Sequence, residues 1–256
     1  MIMKEKLSEI GRRHNIRVEW FDSVTSTNDV ARKPEMGHGD IVVAASQTAG
    51  RGQRGNSWSS AEGQNLTFSI VLRPTFLSPA NQFLLSELVS VAIHDVLLGY
   101  GILTKIKWPN DIYAADRKIA GILIENDIKG TSIYRSIVGI GINVNQTEFA
   151  PSLPNPTSMK QVLQSADDID LIELLSGLAD AILGKFRLLE DGYSNGIELA
   201  YHHNLYRVGQ QYPYLLPDGT RLDGTILHVR QSGELMLRHD DGTINPYLHK
   251  EIEFAI

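Results

Sequence analysis

The chain has 256 residues, 42% hydrophobic and 21% charged, with 30 acidic against 24 basic side chains and a net charge of −6. An acidic balance argues against a DNA-binding surface, which normally carries a basic excess. Cysteine is absent, so disulfides, thiolate nucleophiles and cysteine-based zinc sites are excluded.

This length accommodates one large domain, or a medium domain with a small one. The N-terminus lacks the continuous apolar stretch of a signal peptide. No apolar run approaches the ~18 residues a membrane helix needs, so a cytoplasmic protein without a membrane partner is expected. The eight histidines show no tight metal-ligand spacing. His202-His203 read as exposed positions on a helix.

The first strand is expected over 16–21, IRVEWF. Ser23, Thr25 and Ser26 then offer caps for a short helix from Thr27, stopped by Pro34. A strand over 41–46 runs into SQTAGRGQRGNSW, and LTFSIVL at 66–72 is another strand. Apolar residues at helical spacing predict a helix over 80–98, ended by Gly99 and Gly101. Lys105–Trp108 is a short strand cut by Pro109. Segments 119–125 and 132–145, separated by Lys129-Gly130, predict a β-hairpin. Residues 146–160, with three prolines, predict a loop that is mobile until ligand binds. Leucines on one face predict a helix over 170–190, and a shorter helix follows near 196–205. Beyond Gly209, Asp-Gly, Ser-Gly and Pro-Asp-Gly turns separate short alternating segments. They predict a small antiparallel barrel, with a domain boundary giving 1–206 and 207–256.

Gly50-Arg51-Gly52-Gln53-Arg54-Gly55, between a strand and Trp58, reads as an anion cradle. Glycines admit close backbone approach and arginines present planar forks to carboxylate or phosphate. The motif is neither a Walker A loop nor a dinucleotide fingerprint. Three segments join it. Lys107-Trp108-Pro109-Asn110-Asp111 supplies a cation, an amide and a candidate Mg²⁺ ligand. Lys118–Glu125 places a lysine at the mouth of a buried strand, with Gly121 opening room behind it. Gly139–Asn145 reads as a strand with two glycines and two asparagines on one face. Each alone has a bland alternative: a surface loop, solvated lysines, or glycines that admit a neighbouring strand.

Ser26-Thr27-Asn28, Gln47 through Trp58, Lys107–Asp111, Lys118–Glu125 and Gly139–Asn143 follow, in order, the motifs of biotin–protein ligases. The chain resembles that family over roughly residues 17–205. The resemblance implies an α+β fold: a mixed β-sheet catalytic domain with helices packed on it, plus a small C-terminal SH3-like barrel. It implies activation of biotin by ATP to biotinyl-5′-AMP, with Mg²⁺. Biotin then passes to a lysine of a biotin carboxyl carrier domain of a biotin-dependent carboxylase. Few residues precede the first strand, so the helix-turn-helix domain of repressor members, and with it DNA binding, is not expected. A homodimer remains open.

By resemblance, Ser26, Thr27, Asn28 and Gln47 border biotin's ureido ring, with Gly50 and the backbone at Gly121, Gly139 and Gly141. Arg51 and Lys118 neutralise carboxylate and α-phosphate, and Arg54 and Lys107 hold the outer phosphates. Trp58 offers its face to adenine, Asn143 bonds the nucleotide, and Asn110 and Asp111 organise phosphate and Mg²⁺. Members often carry arginine where this chain has Gln53 and Asn56, so weaker retention of the adenylate is expected. A lipoate–protein ligase shares the fold, but its Gly-rich Arg-Arg motif with a histidine is not found. A non-catalytic biotin- or nucleotide-binding regulator would not need both Lys107 and Lys118.

Overall fold

The computed structural model describes residues 2–255, except for the side chains of residues 2 and 54. Seven strands form one mixed sheet: β1 (Val18–Val24), β2 (Ile41–Gln47), β3 (Leu66–Leu72), β4 (Thr104–Lys107), β5 (Asp111–Ala114), β6 (Arg117–Lys129) and β7 (Ser132–Ile142). Their order across the sheet is β1-β2-β3-β7-β6-β5-β4. All pairs are antiparallel except β1 and β2. β3 sits inside the sheet, and every one of its residues is buried. That is why it reads as an unbroken apolar run with two small hydroxyl residues.

Six helices accompany the sheet: α1 (Ile2–His14), α2 (Thr27–Ala31), α3 (Phe83–Gly99), α4 (Met159–Leu163), α5 (Leu171–Glu190) and α6 (Ser194–His203). α3 packs against α5 and α6. With its lead-in turn from Pro79 it is long and apolar enough to cross a bilayer, but 67% of that segment is buried inside the protein. It is a core helix, and its side chains join those of the sheet and α5 in one apolar cluster. α5 begins where Asp170 caps it, its carboxylate accepting from Ile172 N at 2.8 Å and Glu173 N at 3.2 Å.

The C-terminal strands are β8 (Gln211–Leu215), β9 (Arg221–Val229), β10 (Leu235–His239), β11 (Ile244–Tyr247) and β12 (Glu253–Phe254). They form a second, antiparallel sheet in the order β11-β10-β9-β8-β12, matching the expected small barrel-like unit. Its core is continuous with that of the large sheet. The Trp108 indole N–H donates to Gly233 O at 2.9 Å. His202 Nε2 lies 3.1 Å from both N and O of Val229. His202 is therefore half-buried against β9, where the sequence reading placed it in solvent.

Several boundaries differ from expectation. α1 was not anticipated; it buries only Leu7 and Ile10 and is tied to α5 by Lys6–Asp170, Arg13–Asp180 and His14–Asp180 pairs. β5 was missed because four residues carry too little pattern. β7 ends at Ile142, so Asn143 and Asn145 lie beyond the strand. The proline-rich segment is anchored at its end: Lys118 N donates to Asn155 O at 2.8 Å, and Thr157 N donates to Lys118 O at 2.9 Å. This clamps the backbone of Lys118 from outside the sheet.

One buried group is out of keeping with its surroundings. Glu87 of α3 is 1% exposed, and its Oε2 has no hydrogen-bond partner among the described residues. Burial, with a smaller contribution from Glu198, pushes its pKa from 4.5 to about 8. The folded state thus holds a proton that the unfolded chain releases near 4.5. This contribution to stability is fully present below that pH and is lost as pH rises through about 8. Thermal unfolding followed at pH 6 and pH 8.5 should show the wild type losing stability across that range. Glu87→Gln should flatten the loss; an unchanged difference between the two pH values would refute the assignment.

Candidate active site

One cavity of about 470 Å³ gathers nearly all the singled-out residues. Ser26, Thr27, Asn28, Gln47, Arg51, Gln53, Trp58, Lys107, Asn110, Asp111, Lys118, Gly121, Gly139 and Gly141 all line it. They come from α2 and its cap, the end of β2 and the Gly/Arg loop after it, the end of β4 with the turn into β5, and β6 and β7. The C-terminal unit adds His249, Ile252 and Phe254, which the sequence reading did not include.

The floor comes from register. Gly141 lies opposite Gly121 on β6 and Thr67 on β3, and Gly139 opposite Leu123 and Ser69. A methyl on Gly141 would collide with the Trp58 indole, and one on Gly139 with the Asn28 amide. At Gly121 a methyl would stand 3.2 Å from Trp58 and 3.3 Å from Lys118 Cε. Trp58 therefore lies across the glycine floor assigned above to the biotin side. Its indole nitrogen is buried without a partner among the described residues.

The wall at α2 is a connected polar network. Gln47 Oε1 accepts from Thr27 N at 2.8 Å. Ser69 Oγ donates to Asn28 Oδ1 at 2.6 Å and lies 2.7 Å from Thr27 Oγ1. Asn28 Nδ2 donates to Glu125 Oε2 at 2.7 Å. Ser26, Thr27 and Asn28 are all buried. Such a satisfied network fixes rotamers before any ligand arrives.

The Gly/Arg segment is a small closed loop. Arg51 bridges Ser57, Gly52 N donates to Asn56 O at 2.7 Å, and Trp58 N to Gly50 O at 3.0 Å. Gly50 does not line the cavity; a side chain there would strike Trp58 O, so its role is to support the loop. The side chain of Arg54 lies outside the described residues. Arg51 already has anionic partners. Its guanidinium contacts Asp29 at 2.7 Å and Glu125 at 3.2 Å. Burial works against its charge, but these two carboxylates outweigh it and raise the pKa.

Lys118 Nζ stands 2.6 Å from Asp111 Oδ1, at an angle that makes it a charge contact rather than a directed hydrogen bond. Asn110 Nδ2 donates to Ile122 O at 2.7 Å, so this amide is spent on the strand. Asn143 is 5% exposed, donates to Thr157 O at 2.9 Å, and does not line the cavity. This bond anchors the proline-rich segment. No group of three metal-ligating side chains exists among the described residues. With Asp111 engaged by Lys118, the donor set does not fit a protein-held Mg²⁺.

Lys107 is held differently. Its Nζ lies 4.8 Å from the Phe254 ring centroid and 5.3 Å from that of Tyr113. Burial lowers its pKa most; Asp111 opposes this, and Lys118 and Arg207 add to it.

The family described as Biotin/lipoate A/B protein ligase matches residues 20–143. The bifunctional ligase/repressor BirA of Bacillus spizizenii is 31% identical over 255 residues, covering 93% of this chain and 76% of its own length. The biotin–[acetyl-CoA-carboxylase] ligase of Paracoccus denitrificans is 32% identical over 230 residues, covering 85% and 92%. The structure of the biotin protein ligase from Aquifex aeolicus in complex with biotin and ATP superposes with a TM-score of 0.78 at 26% identity, covering 93% of this chain and 97% of that one. With the glycine floor, the Gly/Arg loop and two flanking lysines in one cavity, this chain belongs to the biotin–protein ligases of the biotin/lipoate A/B protein ligase family.

Proposed function

We propose that this chain activates biotin with ATP and transfers the biotinyl group to one lysine of a biotin carboxyl carrier domain. The observation that carries the reading is the convergence of Arg51, Lys107 and Lys118 on a cavity whose other wall is a neutral, preorganised amide and hydroxyl network. A neutral cyclic urea fits that network. Two anions, a carboxylate and a triphosphate, fit the cations.

In the first step a biotin carboxylate oxygen bonds to the α-phosphorus as the bond to the bridging pyrophosphate oxygen breaks. Pyrophosphate leaves with its electron pair. No protein nucleophile is required, so catalysis rests on positioning and charge compensation. In this reading Lys118, clamped through its backbone by Asn155 and Thr157, lies between carboxylate and α-phosphate. Arg51 leaves Asp29 and Glu125 for the stronger anion. In the second step the carrier amine bonds to the acyl carbon and AMP departs. The Arg51 side chain is 41% exposed and that of Lys118 33%, so both can be reached from solvent. Any Mg²⁺ in this reaction arrives with the nucleotide.

Incubation with ATP, an apo carrier domain and either biotin or lipoate, followed by intact mass, tests the reading. Addition of biotin alone is expected; lipoyl addition, or none, overturns it. Lys118→Ala should reduce biotin-dependent ATP–pyrophosphate exchange by a hundredfold or more, the scale of roughly 3–4 kcal/mol for one preorganised charge donor. Exchange within threefold of wild type would remove Lys118 from that role. Gln53 lines the cavity at a position where a cation would face the adenylate. A charge-assisted bond contributes about 1 kcal/mol more than a neutral one. Gln53→Arg should therefore slow release of biotinyl-5′-AMP severalfold in a single-turnover chase; release at the wild-type rate would show that the loop already compensates.

A further inference from the structure

Arg51, Lys107 and Lys118, three of the cations that line the cavity, are held by two kinds of partner. Arg51 and Lys118 rest on carboxylates, at 2.7 and 2.6 Å. Lys107 makes no ion pair or hydrogen bond among the described residues; its ammonium sits over the faces of Phe254 and Tyr113. The distinction has a chemical consequence. A carboxylate orients a cation but cancels its charge. An aromatic face orients it through the ring quadrupole and leaves net charge and N–H donors for another partner.

Phe254 comes from the far end of the chain, and its placement is built. It lies on β12, opposite Tyr214 of β8, and packs edge-on against that ring at 5.3 Å. Tyr206 lies 6.1 Å away on another side. The next residue is fastened twice: Ala255 N donates to Pro213 O at 3.2 Å, and Arg207 Nη1 donates to Ala255 O at 3.0 Å. A two-residue strand thus delivers one ring to one lysine across the junction of the two sheets.

We propose that Phe254 is a positioning residue for ATP: it holds the Lys107 ammonium toward the phosphates without neutralising it, so that the C-terminal strand sets the nucleotide affinity of the catalytic sheet. This rests on the ligase reading above. Unlike Arg51 and Lys118, Lys107 then has no carboxylate in ion-pair contact to be displaced before its N–H donors meet the triphosphate. Biotin, bound at the α2 wall, is indifferent to Phe254.

The test uses the full chain and biotin-dependent ATP–pyrophosphate exchange. Phe254→Leu keeps an apolar side chain and removes the π face. It should raise the KM for ATP roughly fivefold, as expected for loss of one cation–π contact, with the KM for biotin unchanged. Phe254→Tyr restores a ring and should recover most of the loss. In a Lys107→Ala background, Phe254→Leu should add nothing to the ATP KM, since its effect passes through the lysine. Additive losses, an equal rise in both KM values, or an ATP KM unchanged by Phe254→Leu would overturn the proposal. If Phe254→Leu unfolds the C-terminal sheet, as read by thermal unfolding, the Tyr variant and the Lys107→Ala single variant decide: an ATP KM that Lys107→Ala leaves at the wild-type value refutes it. A wild-type protein with no exchange at all would instead overturn the ligase reading itself.

Discussion

A site that joins two anions must first hold several cations close together in an empty cavity. Like charges in a partly buried space repel, and each also loses hydration. The fold answers with counter-groups at each of Arg51, Lys118 and Lys107. Asp29 and Glu125 take Arg51, Asp111 takes Lys118, and two aromatic faces take Lys107. Glu125 is itself anchored: it also accepts from Asn28 and pairs with Arg32, and Arg32 continues to Asp127 and Arg135. The charge layout of the cavity thereby extends across α2 and the outer half of the β6–β7 hairpin.

Exchange of these partners for substrate oxygens is energetically easy, because the resident pairs are partly solvated. Exposed ion pairs contribute about 0–1 kcal/mol. A phosphate or carboxylate presenting several oxygens can displace Asp29 from Arg51 at little cost. The Arg51–Ser57 bridge and the clamp on Lys118 tie the main chain beside both cations.

Much of this was legible in the sequence, for a physical reason. The strands around the cavity carry strong periodic patterns, and the motif residues fall at their ends, so knowing the strands nearly locates the site. What stayed hidden is what a fold brings together over long separations. Arg51 meets Glu125 from 74 residues away, and Lys107 meets Phe254 from the other end of the chain. Nothing local in either segment signals the pairing. Asn143 adds a structural duty that its type did not signal: its buried amide donates to Thr157 O, and an unsatisfied buried acceptor is costly. Asp111, similarly, suits a metal until Lys118 is placed beside it.

The glycines carry the remaining lesson. In the loop they give backbone freedom, and Gly55 has a φ of 90° in its turn, whereas Gly121, Gly139 and Gly141 have no positive φ. The three strand glycines are required for volume. Gly121 and Gly141 face each other across β6 and β7, and the space their missing side chains leave is taken by the Trp58 indole. Gly139 makes the same room for Asn28, which in turn reaches Glu125. A side chain at any of the three would leave the strand intact and push on a wall of the cavity. Gly50 works from the other side, since the loop can seat Trp58 only if its backbone passes close to Trp58 O. The motifs therefore recur together because they are one packing solution: small residues in the sheet, a large ring above them, and a glycine in the loop that carries that ring.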